Sequence, residues 1–204
     1  MEHYFSPRTA AASRPGTVQL RVDGREIAMA TDAGVFSHAQ LDPGTRFLLK
    51  RGPMPPASGD LLDLGCGWGA IAVSLALRAP GARVWAVDVN ERARELTQAN
   101  AAAAGCDNVV VAAPDDVPGH VQLAGVWSNP PIRVGLAVLH PLLTTWLGRL
   151  DSDAAATLVV HRHLGSDSLQ AWLVREGWAC TRLASHAGYR LLSVRASPGS
   201  GDNP

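Results

Sequence analysis

A chain of 204 residues, 47% of them hydrophobic, can bury one sizeable core but is too short for two domains of ordinary size. Its 18 basic and 18 acidic side chains cancel, which excludes a strongly basic nucleic-acid-binding module and weighs against a polyanionic substrate. The sequence holds no uninterrupted run of eighteen apolar residues, and Met1-Glu2-His3-Tyr4 opens no leader pattern, so a soluble, cytoplasmic protein without a membrane partner is expected.

Val18, Leu20 and Val22, then Ile27 and Met29, alternate with polar positions around Asp23-Gly24, predicting a small hairpin over about 17–30. Asp42 can cap and Pro43 open a helix carrying Phe47, Leu48 and Leu49, which Pro53, Pro55, Pro56 and Gly59 end. The chain then alternates: strand 60–64, helix 69–78, strand 83–88, helix 91–104, strands 108–112 and 123–127, helix 135–149, strand 155–161. Such alternation means a parallel sheet with helices on both faces. An amphipathic helix near 167–176 precedes two apolar runs, Trp178 to Leu183 and Tyr189 to Val194, separated by Ser185 to Gly188 and read as an antiparallel edge hairpin. Together these give an α/β fold with a seven-stranded, mostly parallel sheet and a small N-terminal hairpin and helix cap. The expected boundaries are 1–56 for the cap, 57–196 for the catalytic domain and 197–204 for a disordered tail.

Asp60-Leu-Leu-Asp-Leu-Gly-Cys-Gly-Trp-Gly places glycines 65, 67 and 69 between the first sheet strand and its helix, where a backbone without Cβ atoms admits a ligand. Asp88 ends the second strand, the usual place for an acid that grips ribose hydroxyls. A glycine turn alone fits a tight bend in any α/β fold, or a dinucleotide site. The G-x-G-x-G spacing, the preceding Asp63, which can hold an ammonium and would repel a pyrophosphate, and Asp115 after the third strand, within reach of an adenine amine, favour a methionine-bearing nucleoside.

Asn129-Pro130-Pro131 follows the fourth strand at the same edge of the sheet. Two prolines fix φ and remove two backbone donors, so the loop offers carbonyls and the Asn129 side chain to whatever lies beside the nucleoside. Accepting from the N–H groups of an exocyclic amine would sharpen its lone pair as a nucleophile, with no metal and no cysteine required. The plain alternative is a Pro-Pro turn between strand and helix.

Other residues carry weaker signals. His161-Arg162-His163 ends the fifth strand at the same edge, where basic groups can meet a phosphate or simply be solvated. Arg133 is the better substrate contact; Tyr189 and Arg190 can stack on or pair with a substrate, although a strand tyrosine is by default packing. Trp68 is a possible pocket wall and the other tryptophans read as core. Cys66, Cys106 and Cys180 are too far apart for a zinc site and odd in number, and read as reduced core thiols. Lys50 is the single lysine, so the basic residues are arginines, which suit bidentate phosphate contacts but also follow from a skewed composition.

With these residues in hand, the chain resembles the methyltransferase small domain group of class I, Rossmann-like S-adenosylmethionine (SAM)-dependent methyltransferases, and within it the ribosomal RNA small-subunit guanine-N2 enzymes and their single-domain relatives. The likeness runs from His3-Tyr4-Phe5-Ser6 to Gly188-Tyr-Arg190 and includes Gly34-Val-Phe-Ser37, Leu41-Asp-Pro-Gly-Thr45, the glycine loop and Ser128-Asn-Pro-Pro-Ile-Arg-Val-Gly135. The glycine loop is shared by the whole superfamily; the Gly-Val-Phe-Ser and Leu-Asp-Pro-Gly-Thr segments are narrower. The resemblance implies SAM as cofactor and S-adenosylhomocysteine as product, held by Asp63, Gly65, Cys66, Gly67, Asp88, Val89, Asp115 and Asn129. It implies catalysis by Asn129, Pro130 and Pro131, and substrate contacts from Phe36, Ser37, Arg133, Tyr189 and Arg190. The best-known enzymes of this type carry a degenerate second half in front, and this chain corresponds to the catalytic half.

The function expected is methylation of a guanine N2 amine in ribosomal RNA, with RNA or a ribosomal particle as partner and a monomer or homodimer as the working state. N-methylation of a small metabolite or a protein amide is the alternative, and a non-catalytic SAM-binding module is a third reading.

Overall fold

The structure, a computed structural model, describes residues 12–197. The His3 to Ser6 segment and residues 198–204 of the expected tail lie outside the described residues.

Strands β1 (Pro15–Val22) and β2 (Arg25–Asp32) pair antiparallel with Val22 opposite Arg25. Asp23 and Gly24 join them at φ +46° and +86°, the left-handed pair whose twist suits a two-residue hairpin. Alternation then buries Val18, Leu20, Val22 and Met29 on one face, against Leu48 of α1 (Pro43–Arg51) and Ile71 of α2 (Ala70–Arg78) in a common core. Helix α1 starts where the sequence places it: Asp42 accepts from the Thr45 amide at 2.8 Å, and Pro43 occupies the first turn, where its missing N–H costs nothing.

Next in chain order come β3 (Ser58–Leu64), β4 (Gly81–Val87), α3 (Glu91–Ala103), β5 (Val109–Ala112), β6 (Leu123–Ser128), α4 (Leu136–Leu147), β7 (Ala156–His161), α5 (Ser166–Arg175), β8 (Trp178–His186) and β9 (Tyr189–Ala196). Seven strands of the described residues form one sheet in the order β5-β4-β3-β6-β7-β9-β8. The first five run parallel, and β9 lies antiparallel to both β7 and β8. One core joins the hairpin, α1, α2 and α3 to one face of the sheet, and a second joins α4 and α5 to the other. Winding runs outward from β3 to β5, then restarts at β6 on the other side of β3. The carboxyl ends of β3 and β6 therefore flank the switch point, where open α/β sheets bind their ligands.

The terminal hairpin differs from the sequence expectation. Ser185 and His186 belong to β8, and the turn is only Ala187-Gly188, at φ +46° and +83°. A register shift between Arg182 and Ala184 leaves Leu183 48% exposed. An edge strand with a solvated face tolerates polar residues, so loss of apolar character at Ser185 did not mark its end. The cysteines are free and buried, as expected of core thiols. Trp68 is only 4% exposed and joins the α1–α3 core. Among the described residues no helix is long and apolar enough to cross a membrane.

Candidate functional site

The turn after β3 is held by its neighbour: the Gly65 and Cys66 amides both donate to the Val87 carbonyl at the end of β4, at 2.8 and 3.0 Å. Gly65 and Gly67 are left-handed, at φ +78° and +57°. A Cβ added at Gly65 would meet nothing within 4 Å, and one at Gly67 only Val35 Cγ1 at 3.9 Å, so both border open space. Gly69 serves packing instead, since a Cβ there would stand 3.1 Å from Thr97 of α3. The Cys66 sulfur accepts from the Thr97 hydroxyl at 3.4 Å, and burial pushes its thiol well up.

The acids divide by burial. Asp63 is completely buried beneath the turn, not at its rim; Oδ2 accepts from the Ala72 amide in the first turn of α2 at 2.9 Å, and Oδ1 has no partner. Burial, with Asp88 nearby, pushes the Asp63 carboxyl up to about 8 despite that hydrogen bond. Asp88 accepts from the Gly67 amide at 3.0 Å on one oxygen and from the Asn90 amide at 2.9 Å on the other; burial raises its carboxyl as well. Lone pairs remain on the Asp88 carboxyl for a hydroxyl. Val89 follows half-buried, and its carbonyl accepts from Arg94 Nη1 at 2.9 Å. Asp115 is exposed in a short helical turn, Pro114–Asp116, just beyond β5. This set suits SAM: open left-handed glycines, a buried carboxylate oxygen lacking a donor, and a strand-end acid with spare acceptor capacity.

Asn129 reaches this site because Ser128, buried at the end of β6, donates its hydroxyl to the Leu64 carbonyl at 2.7 Å, one residue before Gly65. Its amide nitrogen then donates to Asp42 Oδ1 at 2.8 Å and to Thr45 Oγ1 at 3.0 Å. An amide has two N–H bonds, so both are committed and Oδ1 is left as the acceptor. The following prolines qualify the sequence reading. Pro131, at φ −77° and ψ +67°, makes an inverse γ-turn in which the Pro130 carbonyl accepts from the Ile132 amide at 2.8 Å. One lone pair of that carbonyl is spent within the loop, and the cradle rests chiefly on Asn129. Asp42 and Thr45 were missed as site residues: the cap at Asp42 is legible, whereas its second partner stands 87 positions away.

The segment after β2 is clamped over the β4–α3 loop. The Ala33 carbonyl accepts from Arg92 Nη1 at 2.8 Å and the Gly34 carbonyl from Asn90 Nδ2 at 3.1 Å. Phe36 beyond it is 44% exposed, and Ser37, at φ +57°, donates its hydroxyl to the Gln40 carbonyl at 2.5 Å. Arg133 is exposed in the turn after the cradle. Tyr189 packs on α1, where a Cβ at Gly44 would stand 2.7 Å from its ring, and lies edge-on to His161 with centroids 4.7 Å apart. Burial and the charge of Asp42 raise its phenol. Strand alternation turns Arg190 to the opposite face, where it pairs with Asp167 of α5. Hydrogen bonds and packing thus link Asp63, Gly65, Gly67, Asp88, Asn129 and Tyr189; Asp115 and Arg133 lie exposed at strand ends, and Arg190 turns away.

A family model described as "Methyltransferase small domain" matches residues 26–193. The "Uncharacterized protein YbxB" of Bacillus subtilis (strain 168) is 33% identical over 170 residues, 82% of this chain and 85% of that protein. The "Ribosomal RNA small subunit methyltransferase C" of Pseudomonas aeruginosa (strain LESB58) is 34% identical over 177 residues, 84% of this chain and 52% of that one. The chain spans about half the length of such methyltransferase C relatives. Among solved structures, the T. thermophilus 16S rRNA N2 methyltransferase RsmC, in complex with AdoMet and guanosine, shares the fold with a TM-score of 0.75 at 24% identity, covering 91% of this chain and 52% of that one.

Proposed function

Because the chain belongs to the methyltransferase small domain family, we propose that it is an N-methyltransferase that uses SAM to methylate the exocyclic N2 amine of a guanine in ribosomal RNA. The observation that carries this reading is the fixed orientation of Asn129, whose two N–H bonds are committed to Asp42 and Thr45. Its Oδ1 can only accept, so the loop selects a group that presents N–H rather than a carbonyl. The relatives named for ribosomal RNA, and the guanosine held by the neighbour of like fold, support guanine as the base.

When bound, SAM would supply a sulfonium methyl to the amine, the C–S bond breaking to give S-adenosylhomocysteine and one amine proton passing to solvent. Asp63 Oδ1, buried and without a donor, would receive its ammonium; Asp88 would hold the ribose hydroxyls; Asp115 would accept from the adenine amine. Asn129 Oδ1, with the second lone pair of the Pro130 carbonyl, accepts from the target N–H bonds and draws the nitrogen lone pair out of conjugation with the ring. That gain is electrostatic and positional, and it is largest as the nitrogen becomes tetrahedral. Phe36, exposed after β2, and Tyr189, packed on α1, would flank an extruded base.

The test is transfer of labelled methyl from SAM to ribosomal RNA, to 30S particles and to a small-metabolite extract, with Asn129→Ala as control. Label that digests to N2-methylguanosine and vanishes with the variant is the expected result. Label confined to small molecules would overturn the RNA assignment.

A further inference from the structure

We propose that the cleft between the end of β7 and the β8–β9 hairpin binds the phosphate backbone of the RNA flanking the target base, through Arg162, Arg182 and Arg190. This rests on the RNA reading above and adds to it a surface that recognises the strand.

The cleft has a volume of about 280 Å³, and three arginines and His186 line it with no carboxylate among them. Asp167 stands behind, paired with both Arg182 and Arg190. That pairing neutralises one charge of three and fixes the direction of two guanidinium groups. Arg162 is exposed and forms no ion pair among the described residues. A chain whose charges otherwise cancel thus concentrates positive charge in one concave place, with planar donor forks that match phosphate oxygens.

The backbone builds this cleft. Gly188 closes the hairpin against β7, where its carbonyl accepts from the Arg162 amide at 2.8 Å and a Cβ would stand 2.6 Å from His161 Nε2. A Cβ there would have to displace the His161 ring, and at φ +83° it would strain the turn that shapes the cleft. Its position is equally specific: Tyr189 lines the cleft and also packs on Gly44, between the Asp42 and Thr45 that hold Asn129. Arg182 and Arg190 stand on the α5 side of the hairpin, paired with Asp167, so a strand whose base enters the amine cradle would pass its backbone over Tyr189 and the Ala187-Gly188 tip to reach them. The sequence had offered His161-Arg162-His163 as either solvated or phosphate-facing, and the fold brings Arg182 and Arg190 to the same spot.

The measurement is binding of a fluorescent 16S RNA fragment to the whole chain over a range of salt, for wild type, Arg162→Ala/Arg182→Ala and Arg162→Lys/Arg182→Lys, beside methyl transfer to the same RNA. Thermal unfolding and SAM titration check that each variant is folded. Expected is at least a tenfold loss of affinity in the alanine pair, a slope of log affinity against log salt shallower by about two, and substantial recovery in the lysine pair, which keeps the charge. RNA methylation and binding that are the same in the alanine pair as in wild type would overturn the cleft and leave the RNA reading intact. A wild-type protein that neither binds nor methylates RNA would overturn both.

Discussion

Asn129 and Asp42 meet across 87 positions of sequence through one hydrogen bond of 2.8 Å, and the oxygen that receives it is the same one that caps α1. Helix start and candidate catalytic loop therefore share a carboxylate, and the two duties can be separated by substitution. Asp42→Ala removes both: about 1 kcal/mol of stability from the lost cap and at least a tenfold fall in kcat. Asp42→Ser retains a capping hydroxyl but ends one bond short of Asn129, so stability recovers while kcat stays low. Asp42→Asn keeps an acceptor of the right length and restores both. Thermal unfolding beside steady-state methyl transfer reads the split; kcat that simply followed stability across the three would reduce Asp42 to a cap.

Asn129→Ala removes the acceptor itself. The expected fall in kcat is about 10² to 10³, the scale for deleting one preorganised hydrogen bond that strengthens in the transition state. SAM affinity, measured by calorimetry, should fall far less than the rate. A variant that kept its rate would leave Asn129-Pro-Pro as a turn between strand and helix.

Gly65 and Gly105 make a matched pair. Both are left-handed, at φ +78° and +70°, and an added Cβ meets nothing within 4 Å at either. Alanine at each should cost a similar amount, about 1–2 kcal/mol of backbone strain. Only at Gly65 would the new methyl project into the space assigned to SAM, so Gly65→Ala should bind SAM at least tenfold more weakly while Gly105→Ala binds it normally. Equal affinities would move the cofactor away from this turn.

Much of the frame was legible because its signals are local. Asp23-Gly24 sets its own turn, Asp42-Pro43 its own helix start, and strand alternation with helices gives a parallel sheet before any contact is known. The glycines and Asp88 were legible for the same reason: left-handed backbone and strand ends have positional meaning. Asp63 was placed correctly along the chain but not in depth, since nothing local says that the helix after the turn covers it. Partnerships across the fold, Asn129 with Asp42 and Thr45, or Arg190 with Asp167, depend on which faces meet and leave no spacing to read. The length of β8 was hidden because a solvated edge strand need not alternate cleanly.

Asp63 supplies a prediction in proton counts. In the unfolded chain an aspartate titrates near 3.9; in the folded protein burial, reinforced by Asp88, pushes it up to about 8. Between those values the folded state binds the proton more tightly, so the contribution of this group to stability is complete below about 4 and is lost as pH rises through about 8. Free wild-type protein should therefore lose stability from pH 5 to pH 8 by an increment that Asp63→Asn does not show. Bringing an ammonium beside the unpartnered Oδ1 reverses the preference, since an adjacent positive charge favours the carboxylate and lowers its pKa. Binding SAM at pH 7 should then expel close to one proton, measured by calorimetry in buffers of different ionisation enthalpy. Asp63→Asn should expel none and bind more weakly. If wild type released no proton while binding SAM tightly, the ammonium would not lie at Asp63, and the lone oxygen would be serving α2 alone.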